Sequence, residues 1–135
     1  MLSFRQHVRA LIRRMADEAQ WYCRADELSK DAQTRAIQLL KQQLTPAQRE
    51  QYDKRHHFYV TGGDTGRLYR IRHGVQMNVE QLDRSGKRIR VLCFMPKGGL
   101  AIGDVMLAQK VALELFETEA LQIANKMPSL EFFLG

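Results

Sequence analysis

Residues 57–96 read HFYVTGGDTGRLYRIRHGVQMNVEQLDRSGKRIRVLCFMP, and the fold is decided there. Apolar and polar side chains alternate with a period of two, the pattern of strands that bury one face. Phe58 and Val60 alternate with Tyr59 and Thr61, and Tyr69 and Ile71 with Leu68, Arg70 and Arg72. Val75, Met77 and Val79 alternate with Gln76, Asn78 and Glu80; Ile89, Val91, Cys93 and Met95 alternate with Arg88, Arg90, Leu92 and Phe94. Between these runs stand Gly62-Gly63-Asp64-Thr65-Gly66, Gly74 and Asp83-Arg84-Ser85-Gly86, each with turn chemistry. A four-stranded antiparallel meander is predicted.

The turns also propose a register. Centring the second turn on Gly74 sets Ile71 opposite Met77 and Tyr69 opposite Val79. A left-handed Gly86 in the third sets Val79 opposite Val91, Met77 opposite Cys93 and Glu80 opposite Arg90. Both turns then put apolar residues on one face, as a sheet covered on one side requires. Val60, Tyr69, Ile71, Met77, Val79, Val91 and Cys93 are expected beneath a covering helix.

The flanks carry the helical period. Phe4, Val8, Leu11, Ile12, Met15, Ala19 and Tyr22 recur at steps of three and four, beside an arginine ridge of Arg5, Arg9 and Arg13. A second helix is read from Asp31 to Leu44, with Ala36, Ile37, Leu40 and Leu44 inward. Thr45-Pro46-Ala47-Gln48 carries a capping box with proline at the first helical position, and starts a short third helix ending near Arg55. After Pro96 and a glycine-rich loop through Lys97-Gly98-Gly99, Asp104 is read as the cap of a last helix. Val105, Ala108, Ala112, Leu115, Phe116 and Ile123 would cover the sheet, and Pro128 would stop the helix. The expected α+β chain is one domain over 1–135: helices over 1–56, sheet over 57–96, C-terminal helix over 104–127 and an apolar tail over 128–135.

The 135 residues are 44% hydrophobic and 27% charged, which suits a packed core and argues against disorder. No apolar run approaches the roughly 20 residues of a membrane-spanning helix, and Arg5, Arg9 and Arg13 interrupt the start as they would not in a secretion signal. Cys23 and Cys93 have no close partner in sequence, which excludes a disulfide scaffold and points to reduced thiols in a cytoplasmic setting. Twenty-one Lys and Arg against 15 Asp and Glu leave a net charge of +6, which favours acidic partners: nucleic acid or an acidic protein surface.

Charge placement sharpens this. Arg70, Arg72 and Arg90, with Arg88 near a turn, would share the sheet's polar face with Tyr59, Phe94 and Leu92. Cations beside aromatic rings suit single-stranded nucleic acid, the cations tracking phosphates and the rings stacking on bases. Arg5, Arg9 and Arg13 form a second basic surface, for which a solvated helix face is the preferred reading. The same alternation allows a blander sheet, with Glu80 and Arg90 as a cross-strand ion pair. His56, His57, His73 and Cys93 lack the spacing of a zinc site, and adjacent His56 and His57 would diverge in a strand. Cys93 lies mid-strand on the buried side, a poor place for an attacking thiolate. Glu114, Glu117 and Glu119 read as solvated or arginine-paired. No catalytic residue, metal or cofactor is expected.

The segment from Phe58 to Asn125 resembles a small-protein family of bacterial genomes and their phages. The resemblance rests on Tyr69-Arg70-Ile71-Arg72-His73-Gly74, Asn78-Val79, Leu82-Asp83 and Cys93-Phe94-Met95-Pro96. It continues through Gly103-Asp104-Val105-Met106-Leu107-Ala108-Gln109-Lys110, Leu113-Glu114 and Ala124-Asn125. It covers about half of the 135 residues and implies a bacterial or phage setting, with no activity attached. The expected function is therefore a non-enzymatic module for RNA or single-stranded DNA. The rival is a protein-binding regulator or inhibitor, using the N-terminal helix or the tail residues Leu130, Phe132, Phe133 and Leu134 on a partner or in a homodimer.

Overall fold

The computed structural model describes residues 3, 5–10, 29–94 and 99–128. Residues 5–10 are helical (α1), followed by α2 (Lys30–Gln43) and α3 (Pro46–Arg55). The described residues form five strands, β1 (His57–Thr61), β2 (Leu68–Arg72), β3 (Val79–Leu82), β4 (Arg88–Cys93) and β5 (Asn125–Pro128), with α4 (Ile102–Ile123) preceding the last. The fold is α+β, an antiparallel sheet in the order β1-β2-β3-β4-β5 with α4 against one face. α2 packs along α4 rather than on the sheet, and α3 packs on β1. None of the described helices is long and apolar enough to cross a membrane.

Local sequence accounts for the helix starts. The Ser29 hydroxyl accepts from Ala32 N (3.1 Å) at the head of α2. At α3 both halves of the expected capping box form: Gln48 N donates to Thr45 Oγ1 (3.2 Å) and Thr45 N to Gln48 Oε1 (3.1 Å). α4 departs from expectation. It begins at Ile102, where Gln33 of α2 accepts the Ile102 N–H at 3.0 Å, so Asp104 falls inside the first turn. It ends at Ile123, and residues 125–128 turn back as β5 on the outer edge of β4. Proline at 128 disfavours the helical region for the residue before it, in keeping with an extended end.

The strand register corrects two expectations. β2 and β3 pair as Ile71–Val79, Arg70–Glu80, Tyr69–Gln81 and Leu68–Leu82. Met77 is thus outside the sheet, 46% exposed at φ 51°, not beneath a helix. The third turn forms as read: Gly86 is left-handed (φ 86°), Asp83 N donates to Lys87 O (2.8 Å), and Leu82 pairs with Arg88. The ladder then skips Ile89, a β-bulge, and resumes with Gln81–Arg90, Glu80–Val91 and Val79–Leu92. One extra residue reverses the faces of β4. Leu92 and Phe94, both 0% exposed, join Phe58, Val60, Tyr69, Ile71 and Val79 in the core under α4. Val91 and Cys93 are also buried, but on the opposite face; burial raises the Cys93 thiol pKa.

On α4, Val105, Ala108, Ala112 and Phe116 are buried as expected, whereas Leu115 is exposed. Met106, Gln109, Leu113, Glu117 and Ala120 are fully buried as well, because α2 and the sheet enclose the helix from two sides. The helix breaks at Phe116 (φ −140°, ψ 43°), and the β1–β2 turn fills the break. Gly63 N donates to Leu113 O (3.0 Å). The Asp64 carboxylate accepts from Thr118 N (2.9 Å) and Thr118 Oγ1 (2.8 Å), capping the second half of the helix from outside it. In return the Glu117 carboxylate accepts from Asp64 N (3.0 Å), Thr65 N (2.8 Å), Thr65 Oγ1 (2.6 Å) and Tyr69 Oη (2.6 Å). A Cβ on Gly63 would lie 1.9 Å from Glu114 O, so only glycine permits this approach.

Glu117, read from the sequence as solvated or arginine-paired, is instead 0% exposed and organises the turn. Burial pushes its pKa up, yet the hydrogen bonds from Thr65, Tyr69 and the turn amides outweigh burial and hold it below 4.5. A depressed carboxyl contributes stability above the unfolded-state pKa and loses it as pH falls through the folded one. Glu117→Gln should therefore lower unfolding free energy by about 2–4 kcal/mol, the scale of lost charge-assisted bonds at a buried site, and should flatten the stability loss expected of the parent below pH 4.5, both read by urea denaturation. Gly63→Ala should destabilise by about 1–3 kcal/mol through overpacking.

Candidate functional site

The polar face of the sheet forms with different membership from that expected. The cross-strand rows His57–Arg72 and Tyr59–Arg70–Glu80–Val91 put Tyr59, Arg70 and Arg72 together on the face turned away from α4. Arg88, beyond the bulge, reaches the same group through Glu80. Arg90 does not: it pairs with Gln81 on the other face, its Nε donating to Gln81 Oε1 at 2.7 Å. Phe94 is in the core and cannot stack on a base. The bulge at Ile89 causes both departures, and no local signal in the sequence announces it.

Glu80 organises this face. It is 1% exposed and takes two guanidiniums, Arg70 Nε on Oε1 (2.8 Å) and Arg88 Nη1 on Oε2 (3.0 Å). Burial pushes its pKa up, but Arg70 first and Arg88 next more than offset that, leaving the carboxyl below its ordinary value. The expected Glu80–Arg90 pair is replaced by these two. Arg72 is exposed and makes no ion pair among the described residues.

At the end of the β1–β2 hairpin away from Glu117, this face hollows into a pocket of about 400 Å³ lined by Arg55, His56, His57, Arg70, Arg72 and His73. Local geometry gathers these six. His56 is no strand residue: it ends α3 in the left-handed conformation (φ 56°), and His73 N donates to His56 O at 2.9 Å, so their rings stand 6.3 Å apart. His73 Nδ1 lies 2.8 Å from the Tyr52 hydroxyl. The loop between β2 and β3 is held by Asn78, which donates to Arg72 O (3.0 Å) and Gly74 O (3.2 Å) and exchanges amide bonds with buried Gln109. Gln48 and Gln51 fix the neighbouring backbone of Tyr59: Gln48 Nε2 donates to Tyr59 O (2.9 Å), and Tyr59 N donates to Gln51 Oε1 (3.0 Å).

His57 lies half-buried in this lining, and its Nε2 is buried with no hydrogen-bond partner. An unpaired buried polar group costs about 1–3 kcal/mol, so this nitrogen is a local weak point of the fold. Burial, then Arg70, Arg55 and Arg72, lower the His57 pKa against a smaller opposing pull from Glu80. Burial and then His56 lower that of His73. Both rings are therefore mostly neutral near pH 7, and an anion beside them would favour their protonation. Arg55, His56, His57 and His73 were not legible as one cluster, because strand alternation from His57 says nothing of the helix end that delivers Arg55 and His56.

The other expected surfaces are only partly described. Arg5 and Arg9 are exposed; Arg9 lies over the Phe116 ring (5.4 Å) and 3.9 Å from Glu119. Arg13, Leu130, Phe132, Phe133 and Leu134 fall outside the described residues. Among those described, no three His, Cys, Asp or Glu side chains group as a metal site would need.

Breaking a largely buried charge group by removing its carboxylate is costly, whereas losing an exposed charge is not. Glu80→Gln should therefore lower stability by about 2 kcal/mol, after discounting for the partly exposed arginines, while Arg72→Gln should change it by less than about 0.5 kcal/mol in the same urea titration. No protein-family model matches this chain, and no curated protein and no solved structure matches it significantly.

Proposed function

We propose that this chain is a non-enzymatic binding module for RNA or single-stranded DNA, drawing the strand's phosphates to the basic pocket and the adjoining Tyr59–Arg70–Arg72 face, whichever phosphate of the strand the pocket itself seats. The observation that carries this reading is the pocket lining: three arginines and three histidines, with no carboxylate and no apolar side chain among them. Glu80, the carboxylate on this face, is already engaged by Arg70 and Arg88, which leaves the surface net positive. Half-buried Tyr59, its ring 5.5 Å from that of His57, stands beside the pocket as a stacking partner for a base. A net charge of +6 favours the encounter.

The test is fluorescence anisotropy with a labelled oligouridine across a salt series. Replacing Arg55 and Arg72 by Gln should weaken binding and reduce the log–log salt slope by about 0.7 for each phosphate the protein no longer neutralises. Binding should also tighten as pH falls below 6.5, where His57 and His73 begin to take up protons; their lowered pKa values place the gain below that value rather than above it. A parent protein that binds no oligouridine at low salt would sink the proposal. A second reading, a protein-binding regulator, has one observation in its favour: Leu39 (45% exposed) and Leu115 (43% exposed) flank an apolar groove between α2 and α4 that also includes Val8, Leu107 and Val111. Under that reading nucleic-acid binding is absent.

A further inference from the structure

We infer that the Arg55–His57–Arg72 pocket is a seat for a phosphomonoester, such as the phosphorylated end of a strand or a free nucleotide, rather than for the internal diesters of a continuous backbone. The inference deepens the nucleic-acid reading and rests on it only for the strand-end source.

Three features of the pocket carry it. The first is charge: Arg55, Arg70 and Arg72 are permanently cationic and converge on one cavity of about 400 Å³ with His56, His57 and His73. A diester brings one negative charge to such a site, whereas a monoester brings about 1.5–2 and three free oxygens, which suits several convergent donors. The second is shape. The lining comes from two places only, the α3–β1 junction and the end of β2, and the His73 N to His56 O bond (2.9 Å) ties them together along one side. These two places supply all six lining residues, and no third element among the described residues adds a cation that would continue a track for a strand. The third is His57, which lines the pocket and whose buried Nε2 has no hydrogen-bond partner among the described residues. Tyr59 lies next to His57 on the same face, where the first base or nucleoside attached to a seated phosphate would meet a ring. Glu80 lies behind Arg70 and fixes that guanidinium by its Nε, so the site is organised before any ligand arrives.

The experiment compares two oligouridines of equal length with a 3′ label, one ending in a 5′-phosphate and one in a 5′-hydroxyl, and adds uridine 5′-monophosphate and inorganic phosphate as separate probes. The phosphorylated end should bind at least about tenfold more tightly. That preference should vanish in Arg55→Gln/Arg72→Gln, a pair of exposed positions whose replacement leaves the core intact. Uridine monophosphate, but not uridine, should shift the His57 and His73 imidazole signals in NMR spectra of the parent and not of the double variant. Equal affinity for the two oligonucleotide ends overturns the inference while leaving nucleic-acid binding standing. If neither oligonucleotide binds, but uridine monophosphate or inorganic phosphate shifts the two histidines, the monoester seat stands and the nucleic-acid reading falls. If no probe shifts them, the inference is overturned.

Discussion

A buried carboxylate is expensive to place in a protein interior unless hydrogen bonds replace its water. Glu117 meets that demand with four donors from the β1–β2 turn and Tyr69, and much of the molecule follows from it. The turn can reach Glu117 only because α4 breaks at Phe116, and the broken helix is re-capped by Asp64 of the same turn. Each side supplies what the other lacks: the helix break frees Leu113 O and Thr118 N, and the turn brings Gly63 N and the Asp64 carboxylate to them. This exchange anchors one end of the β1–β2 hairpin to the covering helix. The opposite end of the same hairpin carries the basic pocket.

The pocket's own support is a second set of buried polar groups. Asn78 and Gln109 hold the loop that ends in the β3 strand, and Tyr52 meets His73 from α3. Behind the pocket, Glu80 absorbs the repulsion that Arg70 and Arg88 would otherwise feel. Fixed partners on one side and a lining of three arginines and three histidines on the other give a basic surface held in place by the fold. That contrast distinguishes the pocket from an ordinary solvated basic face, where each arginine moves independently and little is gained by an anion's arrival.

A sheet with a period of two is sensitive to single-residue insertions, and this one shows the consequence on its polar face. Up to the Leu82–Arg88 pair the third hairpin follows from its turn residues. One bulged residue later, Leu92 and Phe94 have exchanged faces with Val91 and Cys93, and Arg90 has left the arginine cluster. The apolar content of β4 on both faces allows this: Val91 and Cys93 or Leu92 and Phe94 satisfy a core equally well, so alternation alone does not choose.

The sequence by itself determined the elements whose causes are local. The α3 capping box, the Ser29-led second helix, the alternating strands and the left-handed Gly86 all answer to neighbours within four residues. It also placed Arg70, Arg72 and Tyr59 on one face, because β1 and β2 have a single apolar side each. Tertiary structure decided the rest. The Ile89 bulge, the β5 strand and the burial of Glu117 depend on partners far along the chain: Arg90 needs Gln81, and Glu117 needs residues some 50 positions earlier. The pocket required the left-handed end of α3 to turn His56 toward His73, a juxtaposition that neither residue's own neighbours specify.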